Sequence, residues 1–360
     1  MDLYSNSLYL DDLQYTAALN LPWELMQNKC ILISGATGLV GSFLVDVLMV
    51  KNERGLNCKV YTLGRNARKA ESRFTKWKDS PLFQFIPCDI NKPLLLPELD
   101  KVSYVLHMAS NTHPMQYATD PIGTITTNII GLQHMLDFAV EHRSERFAFT
   151  SSNEIYGENR GDVELFKEDY CGYIDSNTLR AGYPESKRCG EALCQAYKSQ
   201  KGLDIVIPRP TRSYGPTMLM SDTKAISQFI KKGIRGEDIV LKSAGTQYYS
   251  YTYVADTVSG LLTILLKGVN GEAYNIADEQ SDIMLKELAK IIAVQVGKKV
   301  INDLPDKEEA LGYSKATKAR LNGEKLKQLG WKARFDIETG IDRTLNILMS
   351  CSMPRGDATK

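Results

Sequence analysis

The chain has 360 residues, of which 43% are hydrophobic and 24% are charged, a composition typical of a globular protein. Its 44 Lys and Arg residues nearly balance its 43 Asp and Glu residues, and a net charge of +1 argues against a nucleic-acid-binding protein, which usually has a basic excess. No apolar run approaches the ~20 residues of a membrane span, and the acidic N-terminus does not resemble a secretory signal, so we expect a cytoplasmic protein that contacts no membrane.

The cysteines and histidines do not have the spacing of a metal site. The seven cysteines include no CxxC pair, and the four histidines form no HExxH motif. We therefore expect no bound metal, and the scattered thiols are typical of a reducing compartment.

Short apolar runs alternate with longer runs of helical period between residues 29 and 207, after an N-terminal extension of residues 1–28. The predicted strands are Cys30–Ser34, Lys59–Leu63, Phe83–Pro87, Tyr104–His107, Arg146–Thr150 and Leu203–Ile207. The predicted helices are Leu39–Lys51, Pro121–His142 and Pro184–Gln200. This alternation is typical of a parallel sheet covered on both faces. The sequence therefore predicts an α/β fold with a Rossmann-like, doubly wound parallel sheet that binds NAD(P).

The pattern changes after about residue 208, where glycines, prolines and tyrosines are frequent. We predict a smaller C-terminal substrate-binding lobe over residues 208–350, with isolated strands at Ile239–Lys242 and Ala273–Ile276. Thr252–Leu266 has the pattern of a further strand–helix unit, so we expect this segment to return to the Rossmann domain. The tail, residues 351–360, is polar and predicted to be mobile.

A glycine-rich turn follows the first predicted strand and opens an apolar helix. Its GxxGxxG spacing allows close approach of the backbone to a pyrophosphate, while the helix N-terminus offers unpaired N–H groups to the anion. The alternative is a tight βα turn without a ligand. We predict cofactor contacts from Gly35, Thr37, Gly38, Leu39, Val40 and Gly41.

The end of the second predicted strand bears on the choice of cofactor. A carboxylate there would bind the ribose 2′-hydroxyl of NAD, but the sequence has Arg65 and Asn66. Because a guanidinium can bind a 2′-phosphate with two hydrogen bonds, we expect NADP, with NAD as the alternative cofactor and a solvated basic loop as the alternative role. The residues after the fourth strand that we expect to contact the cofactor are Met108, Ala109 and Ser110.

Tyr183 and Lys187 are four residues apart and therefore lie on one face of a predicted helix. A buried ammonium and the positive charge of an oxidised nicotinamide would lower the pKa of the tyrosine from ~10 towards neutrality. Tyr183 could then act as a base towards a sugar hydroxyl, or as an acid in the reverse direction. Tyr197 and Lys201 have the same spacing, but they lie near the end of the same helix, where packing is the expected role.

The fifth predicted strand runs into a polar segment, Ser151–Gly157. A hydroxyl at this strand tip can hydrogen-bond the reacting oxygen beside Tyr183, and Ser152 is the candidate. The alternative is a serine that only caps a turn. The glycine turn and the Tyr/Lys pair elsewhere in the chain favour the first role.

The chain resembles the extended short-chain dehydrogenase family of nucleotide-sugar epimerases, dehydratases and decarboxylases in four motifs that occur in the same order. These motifs are Gly35–Gly41, Ser151–Gly157, Tyr183–Lys187 and Arg209–Pro216. The resemblance covers about residues 29–345. Within it, residues 171–197 are most similar to UDP-glucuronate decarboxylases.

The resemblance implies a nucleotide-sugar substrate and roles for individual residues. The implied catalytic group is Ser152, Tyr183 and Lys187, of which the last two also contact the cofactor. Asp89 matches the acid that holds the adenine amine in this family, and Ile90 lies beside it. The predicted helices Pro121–His142 and Pro184–Gln200 resemble those that pair two family subunits, so a homodimer is expected.

Glu154 bears on the type of reaction within the family. Hydride transfer from C4 of a sugar leaves a 4-ketone that acidifies the C5 proton, and the family's dehydratases and decarboxylases carry a Glu at this place to remove it. The dTDP-glucose-type dehydratases pair this Glu with an Asp, which is Asn153 here. This departure argues against water elimination. A solvated Glu154 is the alternative.

Two further departures concern the substrate side of the site. Tyr249 stands where the family pattern Q-x-R-x-F has its arginine, and Arg212 replaces an expected asparagine. One hypothesis is that Arg212 takes over neutralisation of the substrate diphosphate. The residues assigned to substrate binding are Asn153, Arg209, Arg212 and Tyr249.

Three functions remain open from the sequence. The first is an NAD(P)-dependent enzyme that oxidises and re-reduces one nucleotide-linked sugar through a keto intermediate, as in decarboxylases, dehydratases and epimerases. The second is an NADPH-consuming reductase of a nucleotide-linked keto sugar, for example a CDP-ketose reduced to a CDP-alditol, and Arg65 favours it. The third is a non-catalytic NADP-binding module, against which the intact Ser, Tyr and Lys argue.

Overall fold

A seven-stranded parallel sheet forms the centre of the computed structural model, which describes residues 2–97, 99, 101–112, 114–303 and 317–352. In chain order the strands are β1 (Cys30–Ser34), β2 (Lys59–Gly64), β3 (Phe83–Pro87), β4 (Tyr104–His107), β5 (Arg146–Phe149), β6 (Ile205–Pro210), β7 (Arg212–Tyr214), β8 (Ile239–Leu241), β9 (Tyr248–Tyr253), β10 (Ala273–Ile276), β11 (Asp282–Met284), β12 (Val300–Asn302) and β13 (Lys318–Ala319). The large sheet has the order β3-β2-β1-β4-β5-β6-β10, with parallel neighbours throughout. The chain order changes direction between β1 and β4, and doubly wound sheets bind ligands at the carboxyl ends of such strands.

Helices cover both faces of this sheet. They are α1 (Ser7–Ala17), α2 (Leu39–Glu53), α3 (Ala67–Arg73), α4 (Pro114–Thr119), α5 (Pro121–Thr126), α6 (Leu132–Glu141), α7 (Gly182–Lys201), α8 (Ala225–Ile234), α9 (Val254–Lys267), α10 (Leu285–Gln295), α11 (Glu324–Lys327) and α12 (Ile337–Ser352). α1, α2 and α9 pack together over one face, and α6 packs against α7 over the other. Along β1, Ile31 and Ile33 enter the first core and Leu32 enters the second. The predicted Rossmann-like α/β fold is confirmed.

The C-terminal lobe contains two small sheets. β7, β9, β11 and β13 form one sheet, β8 and β12 form the other, and α8, α10 and α12 pack against one another beside them. The prediction that Ala273–Ile276 belongs to this lobe is wrong, because β10 pairs with β6 and adds the last strand of the large sheet. Only the helical part of the predicted Thr252–Leu266 unit lies on the Rossmann domain, where α9 packs on α2, whereas β9 belongs to the lobe.

The predicted continuous helix Pro121–His142 is interrupted. A π turn, Thr127–Gly131, separates α5 from α6. Within it Asn128 is buried, and its amide donates a hydrogen bond to Ser186 Oγ of α7 (2.9 Å). A π turn inserts one residue without ending the helical run, so the apolar period of the sequence did not reveal it.

Residues 2–17, which we call the N-terminal arm, pack across both halves of the molecule. α1 contacts α2, α9 and α12. Asp12 of the arm accepts a hydrogen bond from Tyr253 of β9 (2.6 Å) and pairs with Arg343 of α12 (2.7 Å). The arm therefore ties the C-terminal helix to the Rossmann domain.

Within the described part of the chain, no helix combines the length and the apolar character needed to span a bilayer. The described His, Cys, Asp and Glu side chains form no group of three that could hold a metal ion. Of the tail predicted to be mobile, residues 353–360 lie outside the described residues.

Candidate active site

One large cavity, about 1410 Å³ in volume, lies between the carboxyl ends of the central strands and the C-terminal lobe. Small-molecule sites usually have volumes of ~300–1,000 Å³, so this cavity has room for two ligands. The predicted site residues that line it are Gly35, Thr37, Gly38, Leu39, Val40, Gly41, Arg65, Asp89, Ile90, Met108, Ala109, Ser110, Ser152, Asn153, Glu154, Tyr183, Lys187, Arg212 and Tyr249. Two predicted residues, Asn66 and Arg209, are not among the lining residues.

Backbone crowding explains the glycines of the turn after β1. Gly35 has a φ of +76°, and a Cβ on it would lie 2.7 Å from the backbone N of Ala109. A Cβ on Gly41 would lie 2.4 Å from the carbonyl oxygen of Gly35. Gly38 is the N-cap of α2 and supplies no side-chain cap, so the N–H groups of the first helical turn are available to an anion. The turn therefore fits the pyrophosphate of a dinucleotide.

Ser34 and His107 hold two strand ends together beneath this turn, and no local pattern in the sequence indicated the contact. Ser34 Oγ lies 2.8 Å from His107 Nδ1 and accepts the N–H groups of Met108 (3.2 Å) and Ala109 (3.3 Å). Burial, with a smaller contribution from the Lys187 ammonium, lowers the pKa of His107 to about 3. The imidazole is therefore neutral at physiological pH and joins β1 to the end of β4.

Basic side chains line the cavity where β2 ends. Arg65 directly follows β2, and Lys69 of α3 lies one helical turn further on. Burial lowers the pKa of Lys69. Asn66 caps α3 instead of facing a ligand, because its side chain accepts the Lys69 N–H (2.9 Å). Asp89 lines the same end of the cavity, and its carboxylate accepts the N–H of Asn91 (3.1 Å).

Tyr183 lies at the start of α7 and is buried against the cavity. Ser152, which follows β5, lies beside the Tyr183 hydroxyl, and its Oγ accepts the Glu154 N–H (3.2 Å). Burial raises the pKa of Tyr183, and the Glu154 carboxylate adds to the rise, while the neighbouring Ser152 hydroxyl and the Arg180 guanidinium oppose it. The predicted lowering of this pKa included the charge of a bound nicotinamide, and the chain's own groups do not produce it. A further positive charge in the cavity is needed to make this phenol acidic.

Lys187 extends beneath the end of β5. Its side chain is buried, its Nζ donates to the carbonyl oxygen of Thr150 (2.8 Å), and its Nζ lies 4.7 Å from the centroid of the Phe149 ring. Burial lowers the pKa of Lys187 to about 7. The amine can therefore gain or lose a proton near neutral pH, which is the range in which proton transfer at the site must operate.

A cluster of aromatic and charged side chains that the sequence did not predict surrounds Glu154. Its carboxylate pairs with Arg180 (2.8 Å), and the Arg180 guanidinium lies 4.9 Å from the centroid of the Tyr117 ring. Tyr117 in turn stacks on Tyr183 with ring centroids 4.9 Å apart. Arg180 belongs to the segment that resembles UDP-glucuronate decarboxylases, so that resemblance was the available signal.

The two departures on the substrate side lie next to each other. Arg212 of β7 and Tyr249 of β9 are on paired strands, and the guanidinium of Arg212 lies 3.6 Å from the centroid of the Tyr249 ring. Arg212 Nη1 is buried and has no hydrogen-bond partner among the described residues. The positive charge that the family pattern places on β9 is therefore kept at the same cavity wall, but on the neighbouring strand β7. Asn153 lines the cavity near the reacting groups.

Arg209 and Tyr197 are engaged elsewhere. The Arg209 guanidinium binds Glu191 through Nε (2.9 Å) and Nη2 (2.6 Å), and its Nη1 donates to the Glu168 carbonyl oxygen (2.7 Å). The assignment of Arg209 to substrate binding is therefore corrected to a structural role. Tyr197 donates its hydroxyl to Asp137 (2.5 Å) and does not line the cavity.

A model of the NAD-dependent epimerase/dehydratase family matches residues 31–277. UDP-glucuronic acid decarboxylase 3 of Arabidopsis thaliana is 33% identical over 319 residues, which are 87% of this chain and 87% of that protein. The predicted likeness to UDP-glucuronate decarboxylases is thereby confirmed.

Solved structures show the same fold at lower identity. UDP-glucose 4-epimerase from Thermotoga maritima, determined with UDP-glucose, has a TM-score of 0.77 at 23% identity and covers 89% of this chain and 99% of its own. UDP-glucuronic acid 4-epimerase from Bacillus cereus, determined with UDP-glucuronic acid and NAD, has a TM-score of 0.77 at 21% identity and the same coverage. At these identities the comparison supports the fold alone.

Proposed function

Because this chain belongs to the NAD-dependent epimerase/dehydratase family, the extended short-chain dehydrogenases, we propose that it transforms a nucleotide-linked sugar through a keto intermediate with NAD(P) as cofactor. The observation that carries the proposal is the meeting of Ser152, Tyr183, Lys187 and Glu154 at one end of a cavity whose other end is the glycine turn. The relationship to a UDP-glucuronic acid decarboxylase supports the substrate class.

The chain's own groups supply proton transfer at the sugar. A bound nicotinamide would accept hydride from C4 of the sugar or return it. Tyr183 can take the proton of the C4 hydroxyl only as a phenolate, and because burial raises its pKa, the positive charge of a bound nicotinamide would be needed to favour that form. Ser152 lies beside Tyr183 on the cavity lining and can hold the same sugar oxygen. Lys187, whose pKa is about 7, is the third member of the proposed catalytic group, with Ser152 and Tyr183.

Glu154 extends this chemistry to the neighbouring carbon. Once C4 is a ketone, the C5 proton is acidic, and the Glu154 carboxylate can remove it while the electron pair is delocalised onto the ketone oxygen. The Arg180 pair holds this carboxylate at the cavity wall (2.8 Å). Asn153, in place of an acid, leaves no carboxylic proton there to assist the departure of water. Internal redox that ends in decarboxylation or epimerisation is therefore favoured over dehydration.

The substrate diphosphate is assigned to Arg212. Arg212 lines the cavity, and its guanidinium lies over Tyr249 (3.6 Å), which fixes its plane. A planar cation held in this way suits a phosphate oxygen.

The preferred cofactor is NADP. Arg65 and Lys69 both line the cavity where β2 ends, so two cations can meet a 2′-phosphate. This pair also favours the second candidate function, a reductase that consumes NADPH to reduce a nucleotide-linked keto sugar. In that direction Tyr183 gives its proton to the ketone oxygen. The same residues serve both functions.

One experiment separates these functions. The purified protein is incubated in D₂O with NADPH or NADP and a panel of UDP-, dTDP- and CDP-linked sugars, followed by mass spectrometry. Deuterium at C5 or loss of CO₂ without net cofactor use is expected for internal redox, and stoichiometric NADPH oxidation for the reductase. Glu154→Gln should abolish C5 exchange and leave simple ketone reduction intact. Cofactor binding with no product from any sugar would instead support a non-catalytic NADP-binding module.

We propose further that the enzyme is a cytoplasmic homodimer. α5 and the π turn expose three isoleucines, Ile122, Ile125 and Ile130, beside α7. Burying such side chains against a second copy is favourable at about 25 cal/mol per Å² of apolar surface. Light scattering of the full chain tests the state directly, and a monomeric mass would contradict it.

A further inference from the structure

The N-terminal arm forms a buried polar cluster with the helix that follows the glycine turn. Asp46 of α2 is fully buried. One of its oxygens accepts hydrogen bonds from Tyr4 (2.6 Å) and Trp77 (2.7 Å), and the other accepts from Tyr9 and Arg73 (2.5 Å). We call these five residues the Asp46 cluster. It joins the arm to α2 and to α3.

The hydrogen bonding of the Asp46 cluster is complete only when the arm is in place. Burial raises the pKa of both Tyr4 and Tyr9, so the phenols stay protonated and donate. Burial opposes the charge on Arg73, but Asp46 and the two phenol oxygens outweigh it and raise its pKa. Arg73 also donates to the Tyr4 oxygen (2.9 Å) and to the Tyr9 oxygen (2.9 Å). The arm therefore completes the hydrogen bonding of one buried ion pair.

This cluster holds the helix that carries the cavity's basic side chains. Arg73 is the last residue of α3, and Lys69 lies one turn before it. α3 has seven residues, of which Ala70 alone is fully buried, so it has little apolar surface to fix its position. A helix this short is not stable on its own. The Asp46 cluster and the buried Phe74 hold the C-terminal end of α3, and the loop that brings Arg65 from β2 holds the other end.

We propose that the N-terminal arm sets the affinity for the cofactor's 2′-phosphate by positioning α3. Tyr4 and Tyr9 hold Arg73, and through α3 they hold Lys69 at the end of the cavity that Arg65 also lines. The inference rests on the proposed NADP preference. Neither tyrosine lines the cavity, so both are positioning residues. The arm precedes the family match, which begins at residue 31, whereas Asp46, Arg73 and Lys69 lie within it.

The test compares two cofactors in the full chain. The double variant Tyr4→Phe/Tyr9→Phe keeps both rings and the edge contact between them (6.1 Å) while removing two hydrogen bonds to Asp46. We expect the dissociation constant of NADPH to rise about 10-fold and that of NADH to change less than about twofold, because NADH has no 2′-phosphate for the displaced lysine to bind. Isothermal titration calorimetry measures both constants.

A matched control removes the same kind of bond on the other side of the arm. Tyr253→Phe deletes the hydrogen bond to Asp12 (2.6 Å), which lies away from α3. Both dissociation constants should stay within about twofold of the wild-type values. Thermal unfolding of each variant shows whether the chain remains folded.

A second background tests the route through α3. In a Lys69→Met chain, the two tyrosine substitutions should no longer weaken NADPH binding, because the group they position is absent. An equal loss of NADPH and NADH affinity, or an unchanged ratio in a folded variant, would overturn the inference while leaving the proposed function intact. A wild-type chain that binds NADH more tightly than NADPH would contradict the proposed NADP preference and, with it, this inference.

Discussion

The two ends of the cavity are built in different ways. At the cofactor end, one continuous segment, Gly35–Gly41, supplies the turn. Its shape requires glycine at both ends of the segment, because a Cβ on Gly35 or Gly41 would collide with neighbouring backbone atoms. At the sugar end, the wall is made of side chains that are far apart in the chain. These are Tyr117, Glu154, Arg180, Arg212 and Tyr249.

The difference determines how each end can change. A backbone turn and a helix N-terminus bind a pyrophosphate whatever the surrounding side chains are. The sugar wall depends instead on pairs, such as Arg180 with Glu154 and Arg212 over Tyr249. A substitution there can move a charge from one strand to its neighbour without altering the fold. We infer that substrate choice diverges at this wall while the cofactor turn is kept.

The largest effect is expected where the two ends meet. Tyr183→Phe removes the proton-transferring hydroxyl but keeps the ring stacked on Tyr117 (4.9 Å). Turnover should fall ~10²-fold or more, with NADPH affinity little changed. The matched control is Tyr197→Phe, in the same helix but outside the cavity lining. Steady-state kinetics of both variants provide the measurement, and near-normal activity of Tyr183→Phe would remove it from the mechanism.

A smaller effect, confined to the sugar end, is expected from Arg212. Arg212→Gln should weaken binding of the nucleotide sugar about 10-fold, since a charge-assisted hydrogen bond is lost, and should leave the NADPH dissociation constant unchanged. Titration calorimetry with each ligand makes the comparison. The exchange Arg212→Asn/Tyr249→Arg, which returns the cation to β9, should restore much of the affinity. Equal weakening of both ligands would show that the two ends are not independent.

The smallest effect is a pair of opposed pH dependences. His107, at the cofactor end, has a folded-state pKa of about 3 against 6.5 in the unfolded chain, mainly because it is buried. The unfolded state therefore binds more protons between these values, and His107 makes stability rise with pH from about 3 to 6.5. Asp256, at the start of α9, has a pKa raised by burial from 3.8 to about 7, so its contribution falls as pH rises through that range.

Single variants separate these two contributions. Asp256→Asn should make the slope of unfolding free energy against pH more positive between pH 4.5 and 6.5, by at most about 1.4 kcal/mol per pH unit. His107→Gln should make it more negative. Urea unfolding at several pH values gives the slopes. Parallel slopes in wild type and variant would show that the group does not titrate as its burial requires.

The sequence predicted the parts of the site that are local. The glycine turn, the Tyr183/Lys187 spacing and Ser152 at a strand tip are each contained in a few adjacent residues, and the structure brings them to one cavity. The assignment of Arg209 failed for the opposite reason. Its motif is local, but the carboxylate of Glu191 that occupies its guanidinium comes from another element, α7.

By itself, the sequence determined the doubly wound sheet, the cofactor turn and the family, because apolar period and glycine spacing act over neighbouring residues. Tertiary structure alone decided that Ala273–Ile276 belongs to the large sheet, that Arg212 lies over Tyr249, and that Lys69 joins Arg65. It also decided the protonation of Tyr183, whose pKa rises with burial in the folded chain. Strand pairing, charge pairing and burial are contacts between distant segments, so no local pattern specifies them.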